Sequence, residues 1–138
     1  MLDHSLIEAY RATDYRVHGD TPFTLRIEQT CTACDAVLDA YGATNAAYLT
    51  AWNPFSQPNT DVMNASAQEK LAADLSAISL AVIRGEGVGQ IGDWPPEQSL
   101  FALGINRDKA MGLAKQYGQN AFVWIERGQP AELVLCSA

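Results

Sequence analysis

Basic residues are scarce in this chain of 138 residues. Nine lysines and arginines stand against sixteen aspartates and glutamates, which gives a formal net charge of -7. The basic residues are scattered singly from Arg11 to Arg127 and form no patch in the sequence. A surface of this kind repels a phosphate backbone on average. We therefore expect no nucleic acid among the partners of this protein.

Cysteines and long apolar runs are also scarce. The three cysteines, Cys31, Cys34 and Cys136, are an odd number that suits a reducing compartment better than a disulfide-stapled secreted fold. Charged residues interrupt the apolar stretch at the N-terminus, and no run approaches the length of a membrane span. We expect a cytoplasmic protein with no secretory signal and no membrane contact.

Histidine occurs only twice, as His4 and His18. A zinc site would need both of them to meet Cys31 and Cys34 by long-range folding, because no second paired ligand motif is present. The Gly-x-Ser-x-Gly, His-Glu-x-x-His and Walker motifs are absent from the sequence. The sequence therefore predicts no metal and no cofactor.

The pattern along the chain indicates a single domain over residues 1–138. Hydrophobic residues make up 48% of the sequence, and no repeat or linker divides it. Helix-like and strand-like segments alternate in the order helix, two strands, helix, strand, helix, two strands, helix, two strands. Such interleaving predicts an α/β (α+β) fold in which helices pack on a mixed β-sheet.

Capping residues and hydrophobic spacing set the expected bounds of these elements. Gly85 to Pro96 holds four glycines and two prolines, so we expect a loop there. The expected helices run from Asp3 to about Thr13, from Thr32 to Gly42, from Ser66 to about Ser76 and from Asn106 to Gly118. The expected strands cover 15–18, 23–27, 46–52, 80–84, 100–105, 121–126 and 132–135.

Two motifs suggest chemistry. The string Gly87-Val-Gly89-Gln-Ile-Gly92 spells a dinucleotide fingerprint, but prolines follow it where the fingerprint requires a helix, so we interpret it as a flexible loop. Cys31-Thr-Ala-Cys34 lies between a strand and a helix, as a thioredoxin-like redox pair does, although the usual tryptophan and Gly-Pro pair are missing. A thioredoxin-like redox function is kept as one alternative.

Polar and aromatic residues gather at the ends of the predicted strands, where sites of α/β sheets lie. Amides and indoles offer hydrogen bonds and stacking but no nucleophile, which favours a non-catalytic binding or regulatory module for a small ligand or a protein. An enzyme with Glu86 or Glu97 as general base is a second alternative, and a homodimer through the C-terminal edge strand is a further possibility. The ligand-binding candidates are Thr50, Trp52, Asn53, Asn64, Glu86, Trp94, Glu97, Gln119 and Asn120.

These residues also carry a family resemblance. The strings Thr50-Ala-Trp-Asn-Pro-Phe and Tyr117-Gly-Gln-Asn-Ala-Phe122, with Asn64, Trp94 and Glu97 between them, resemble the bacterial domain of unknown function family numbered 3293. The resemblance implies a small bacterial protein with no assigned reaction. Cys31, Cys34 and both histidines lie outside the pattern. The positions that match the family are Thr50, Asn53, Pro54, Asn64, Trp94, Glu97, Gln119 and Ala121.

Overall fold

A computed structural model describes residues 3–90 and 95–136 of the chain. In that part, four α-helices and seven β-strands form one α+β domain. The helices are α1 (His4–Arg11), α2 (Thr32–Tyr41), α3 (Asp61–Ile78) and α4 (Arg107–Gln116), and a 3-10 turn covers Pro54–Ser56. The strands are β1 (Asp14–Val17), β2 (Phe23–Leu25), β3 (Asn45–Leu49), β4 (Ala81–Val88), β5 (Glu97–Leu103), β6 (Ala121–Glu126) and β7 (Glu132–Leu135). No helix in the described residues is both long and apolar enough to cross a membrane.

The expected fold class is confirmed, with helices packed on a single sheet. The strands lie in the order β2-β1-β4-β5-β3-β6-β7, and all six ladders between them are antiparallel. A mixed sheet was expected, but in the described residues the parallel pairing is limited to an isolated bridge between Ile27 and Ala131. This bridge joins the two ends of the sheet order, so the sheet curls into a trough with a concave and a convex face.

Each face of the sheet has its own core. Tyr15, Val17, Tyr48, Phe101 and Val123 point into the concave side, where Val37 and Leu38 of α2 join them. On the convex side, leucines of α3 and small alanines of α4 cover the alternate residues of β3, β5 and β6. Alternation along each strand therefore buries both faces, as a sheet covered on both sides requires.

Several element bounds differ from the sequence prediction. Helix α3 begins five residues before Ser66, because Thr60 caps it through a bond from the Met63 N–H to the Thr60 hydroxyl. Helix α2 takes Cys31 rather than Thr32 as its N-cap, since the Cys31 sulfur accepts from the Cys34 N–H. The central strand β3 ends at Leu49, before Trp52.

The largest correction concerns the glycine-rich segment. Strand β4 continues to Val88, so the loop expected over Gly85 to Pro96 is wrong for its first four residues. Its Ile91 to Trp94 part lies outside the described residues. Strand β5 begins at Glu97, three residues before the expected Leu100. Gly85 and Gly87 pair with Ser99 and Glu97 in the β4–β5 ladder. Here the glycines are strand residues that permit close packing, which is the other established use of glycine in a sheet.

Candidate functional site

A cavity of about 120 Å³ lies on the concave face at the end of the sheet where β5 begins. Helix α1 closes it with Leu6, Ala9 and Tyr10, and the loop after β3 forms another side. None of its described lining residues comes from α2, whose apolar side chains fill another part of the trough. The volume is comparable with the roughly 150 Å³ of an engineered apolar cavity that holds benzene.

A glycine in β4, Gly87, makes room for this cavity. Tyr15 of β1 is opposite Gly87, and Gly87 is opposite Glu97 of β5, so the three residues form one row across neighbouring strands. Side chains in one row point to the same face of a sheet. Because Gly87 has no side chain, a gap opens between the Tyr15 ring and the Glu97 carboxyl group.

The loop that follows β3 is held in an unusual backbone conformation. Asn53, Phe55 and Ser56 all have positive φ angles, of 45°, 56° and 58°. Asparagine adopts this left-handed region more readily than most residues, which explains its place at the start of the turn. The backbone N–H of Phe55 also donates to the Gly118 carbonyl at 2.6 Å, which ties the loop to the segment before β6.

The first half of α3 anchors the same loop through buried amides. Asn64 and Gln68 are each 1% exposed and lie one turn apart on the face that continues to Leu71 and Leu75. The Asn64 side-chain oxygen accepts from the Asn53 N–H at 2.9 Å, and the Gln68 oxygen accepts from the Ala51 N–H at 2.9 Å. Helix α3 thus binds the sheet with leucines and the loop with amides.

The Asn53 side chain links this anchor to the cavity. Its oxygen accepts from the Asn59 N–H at 3.0 Å and from the Asn64 amide at 2.8 Å. A backbone N–H can only donate, so the Asn53 nitrogen must be the atom that faces Glu97, to which it donates at 3.2 Å. The orientation of Glu97 is therefore fixed by a chain of bonds from the loop backbone.

Burial dominates the electrostatics of Glu97. Loss of water raises the pKa of its carboxyl group above the usual value, and the hydrogen bond from Asn53 opposes this effect in part. Burial likewise raises the pKa of the Tyr15 and Tyr48 phenols, which line the cavity with their rings 5.3 Å apart in an edge-on arrangement. The site is thus a poorly hydrated one in which a carboxyl group titrates higher than on the surface.

The opposite wall comes from the start of β6. The Gln119 amide nitrogen donates to the carbonyls of Trp52 and Tyr117, at 3.2 Å each. Next to it, the Asn120 amide donates to the hydroxyls of Tyr10 and Ser56, which lie 2.8 Å from each other. These contacts connect α1, the loop after β3 and the segment before β6 around one opening.

The structure brings together most of the residues that the sequence singled out. Five of them line the cavity, namely Thr50, Trp52, Asn53, Glu97 and Gln119. Asn64 lies behind Asn53, and Asn120 bonds to the lining residues Tyr10 and Ser56. Glu86 does not belong to this group, because it alternates with Gly87 and faces the convex side, where it is 3.8 Å from Arg16. Trp94 lies outside the described residues.

Sequence reasoning missed the contributions of α1 and of the buried tyrosines. The sequence predicts a helix at α1, but the contact of its residues Leu6, Ala9 and Tyr10 with the cavity is visible only in three dimensions. Tyr48 offered a local signal, since a phenol within a buried apolar strand needs a hydrogen-bond partner, which is the Arg16 carbonyl at 3.0 Å.

The Cys31–Cys34 pair lies apart from the cavity. Cys34 is 1% exposed, and burial raises its pKa to about 12. Cys34 is therefore held as a buried, protonated thiol. Cys31, the N-cap of α2, is the partly exposed sulfur of the pair. In the described residues, no three histidine, cysteine or acidic side chains are grouped as a metal site requires.

A comparison with protein-family models identifies the family. The model described as "Protein of unknown function (DUF3293)" matches residues 49–122, which is more than half of the chain. The chain belongs to this family. The matched segment contains every ligand-binding candidate named from the sequence, whereas α1 and the cysteine pair lie outside it. Searches of curated proteins and of solved structures gave no match.

Proposed function

We propose that this member of the DUF3293 family is a non-catalytic binding or regulatory module that takes up a small organic molecule in the concave cavity. The observation that carries the proposal is the cavity itself, with apolar walls and a few polar groups that converge from α1, β5, the loop after β3 and the start of β6. Ligand sites of proteins have this composition, because apolar walls supply affinity and a few fixed polar groups supply specificity.

The hydrogen bonds around the cavity support the same function. Asn53 is held by Asn59 and Asn64 before any ligand is present, and Gln119 is held by two carbonyls. A site whose polar groups are already oriented loses less conformational freedom when a ligand binds. Burying the Asn64 and Gln68 amides costs desolvation free energy, which favours a role for this loop beyond connecting two elements.

A second candidate function is proton transfer by Glu97. A general base or acid works best with a pKa near the working pH, and burial moves the pKa of Glu97 in that direction. Glu97 is also the only carboxyl group among the described lining residues. The general-base alternative therefore rests on Glu97 alone, since Glu86 lies on the other face.

Filling the cavity tests the binding function. A Cβ atom at Gly87 would meet nothing closer than a Thr13 methyl carbon at 3.7 Å, so the backbone accepts a side chain here. Since Gly87 lines the cavity, we expect the methyl groups of Gly87→Val to occupy part of its volume. The full chain would be incubated with a cell metabolite extract, washed and denatured, and released compounds would be identified by mass spectrometry. We expect compounds that the original chain retains and that Gly87→Val does not.

Glu86→Val is the matched control, because it adds the same side chain to the next residue of β4 but on the convex face. This variant should retain the same compounds as the original chain. Equal retention by Gly87→Val, or no retained compound at all, would contradict a ligand site in the cavity. A substrate consumed by the original chain but not by Glu97→Gln would favour proton transfer instead.

A further inference from the structure

We propose that the ligand is an organic ammonium ion, whose N–H groups bond to Glu97 and Gln119 and whose carbon skeleton packs against the aromatic and aliphatic walls. This inference rests on the proposed binding function and specifies its ligand class. It follows from the polar atoms of the cavity that have no partner and from the sign of the charge at the site.

The charge of the lining residues has one sign. Apart from the tyrosine phenols, Glu97 is the only ionisable side chain among the described residues that line the cavity, and these include no lysine, arginine or histidine. The whole chain carries a net charge of -7, so its average field also attracts cations. An anionic ligand would meet a carboxylate with no compensating cation among those residues.

Most hydroxyl groups of the described lining residues are already committed as donors. Tyr15 donates to the Tyr10 carbonyl at 2.6 Å, and Tyr48 donates to the Arg16 carbonyl at 3.0 Å. Thr50 and Ser99 donate to carbonyls of β5, at 2.6 and 3.1 Å. A ligand that needs donors for a carboxylate or a phosphate would find these four hydrogens in use.

The amide and carboxyl groups, in contrast, leave acceptors open. Both contacts of the Gln119 nitrogen are backbone carbonyls, which can only accept, so its amide orientation is settled. Its oxygen has no hydrogen-bond partner among the residues that the structure describes. The Asn53 nitrogen takes one carboxyl oxygen of Glu97, and the second, Oε1, has no hydrogen-bond partner in the described residues. Two open acceptors call for a ligand that donates.

The aromatic lining favours a cation over a neutral donor. Tyr10, Tyr15, Tyr48 and Trp52 all contribute to the wall, and aromatic rings attract cations placed over their faces. The Trp52 indole N–H has no partner in the described residues, so it can meet a hydroxyl or carbonyl oxygen elsewhere on the ligand. An ammonium group near Glu97 would also stabilise the carboxylate that burial disfavours.

Three probes of similar size and different charge test this ligand class. The full chain, labelled with nitrogen-15, would be titrated with benzylammonium, benzyl alcohol and benzoate near neutral pH, and backbone shifts of Thr50, Glu97 and Gln119 would be followed by NMR. A charge-assisted hydrogen bond predicts that benzylammonium binds about ten- to a hundredfold more tightly than benzyl alcohol, and that benzoate gives no shift.

Glu97→Gln should abolish this preference, whereas Glu86→Gln removes a carboxylate on the other face and should preserve it. Unchanged backbone spectra away from the cavity would show that both variants fold. Binding of benzyl alcohol or benzoate at the same residues as tightly as benzylammonium would overturn the ammonium ligand while leaving the binding function. A preference that survives Glu97→Gln would overturn it too. No shift at cavity residues with any probe would overturn both proposals.

Discussion

At the scale of single residues, Asn53 has the largest number of roles in the site. Its backbone N–H, its side-chain oxygen and its side-chain nitrogen are all used, and its φ angle of 45° lies in the left-handed region. Asparagine tolerates a positive φ, and its side chain offers both a hydrogen-bond donor and an acceptor. Alanine offers neither the donor nor the acceptor.

Asn53→Ala should lower the free energy of unfolding by about 1–3 kcal/mol, because it leaves the buried Asn64 amide and the Asn59 N–H without their acceptor. Alanine is also less suited than asparagine to a positive φ. Urea denaturation would measure the change. The control is Gln57→Ala, whose exposed side chain makes no hydrogen bond in the described residues and should matter little. Equal stability of both variants would show that the Asn53 bonds contribute nothing.

The burial of Glu97 predicts how the free energy of unfolding changes with pH. Burial raises its folded-state pKa above the usual value of 4.5, so between these two values the folded protein binds more protons than the unfolded chain. The contribution of Glu97 to the free energy of unfolding therefore falls as the pH rises through this interval. Burial raises the pKa of the Tyr15 and Tyr48 phenols, so these two groups stay protonated throughout the interval.

The measurement is urea denaturation of the original chain and of Glu97→Gln between about pH 4 and about pH 8. The stability of the variant relative to the original should increase with pH and level off above the folded-state pKa of Glu97. A difference that stays constant over the range, or decreases with pH, would show that burial does not raise this pKa.

At the scale of elements, strands and helices with strong periodicity were predictable and glycine-rich segments were not. The β1–β2 and β6–β7 hairpins and helices α2 and α4 lie close to their expected positions, because hydrophobic alternation and capping residues are local signals. The extension of β4 through Gly85 and Gly87 depends on the neighbouring strand β1. No local pattern distinguishes a glycine that ends a strand from one that admits a close neighbour.

The candidate site was predictable to a similar extent. Most of the residues named at strand ends lie around one cavity, since antiparallel and parallel sheets alike bring strand ends to common edges. Their role in binding stays a prediction. The face to which Glu86 points depends on the register of β4, and a register shift of one residue reverses every side chain. Because β4 was expected to end at Arg84, Glu86 and Glu97 could not be separated in advance.

Strands β1 and β4 approach closely at Gly85, and this predicts that alanine has opposite effects on stability at Gly85 and at the exposed helix residue Gly112. A Cβ atom at Gly85 would lie 2.1 Å from the Arg16 carbonyl oxygen, so Gly85→Ala must displace backbone and should cost about 1–3 kcal/mol or more. At Gly112, on the exposed side of α4, a Cβ meets nothing within 4 Å. Gly112→Ala should therefore stabilise the protein by about 0.5–1 kcal/mol through helix propensity.

Thermal unfolding followed by circular dichroism would compare the two variants directly. Opposite shifts of the melting temperature are expected, although the substitution is chemically the same. A Gly85→Ala variant as stable as the original chain would mean that β4 does not run beside β1 at this point. The cavity walls formed by Tyr15 and Gly87 would then not lie side by side.

At the scale of the whole molecule, the curl of the sheet connects its two ends. The Glu28 N–H donates to the Ala131 carbonyl at 2.8 Å, and the Ala131 N–H donates to the Gln29 carbonyl at 3.0 Å. These bonds join the segment after β2 to the segment before β7. The homodimer expected through the C-terminal edge strand remains a prediction. It would have to use β7 itself, since Ala131, just before this strand, is already paired with Ile27.

The bonds that join the segment after β2 to the segment before β7 predict a pattern of amide hydrogen exchange. The Glu28 and Ala131 amides link segments about a hundred residues apart, so they can open only when the curled sheet opens, and we expect their exchange to approach the rate set by global unfolding. The Gln129 N–H is a useful control, because its bond to the Glu126 carbonyl closes a local turn that can open by itself. Exchange followed by NMR should therefore find Glu28 and Ala131 protected and Gln129 less so. If all three amides exchanged at the rate of the turn, the ends of the sheet would be separating in solution, and the concave cavity would be open along that side.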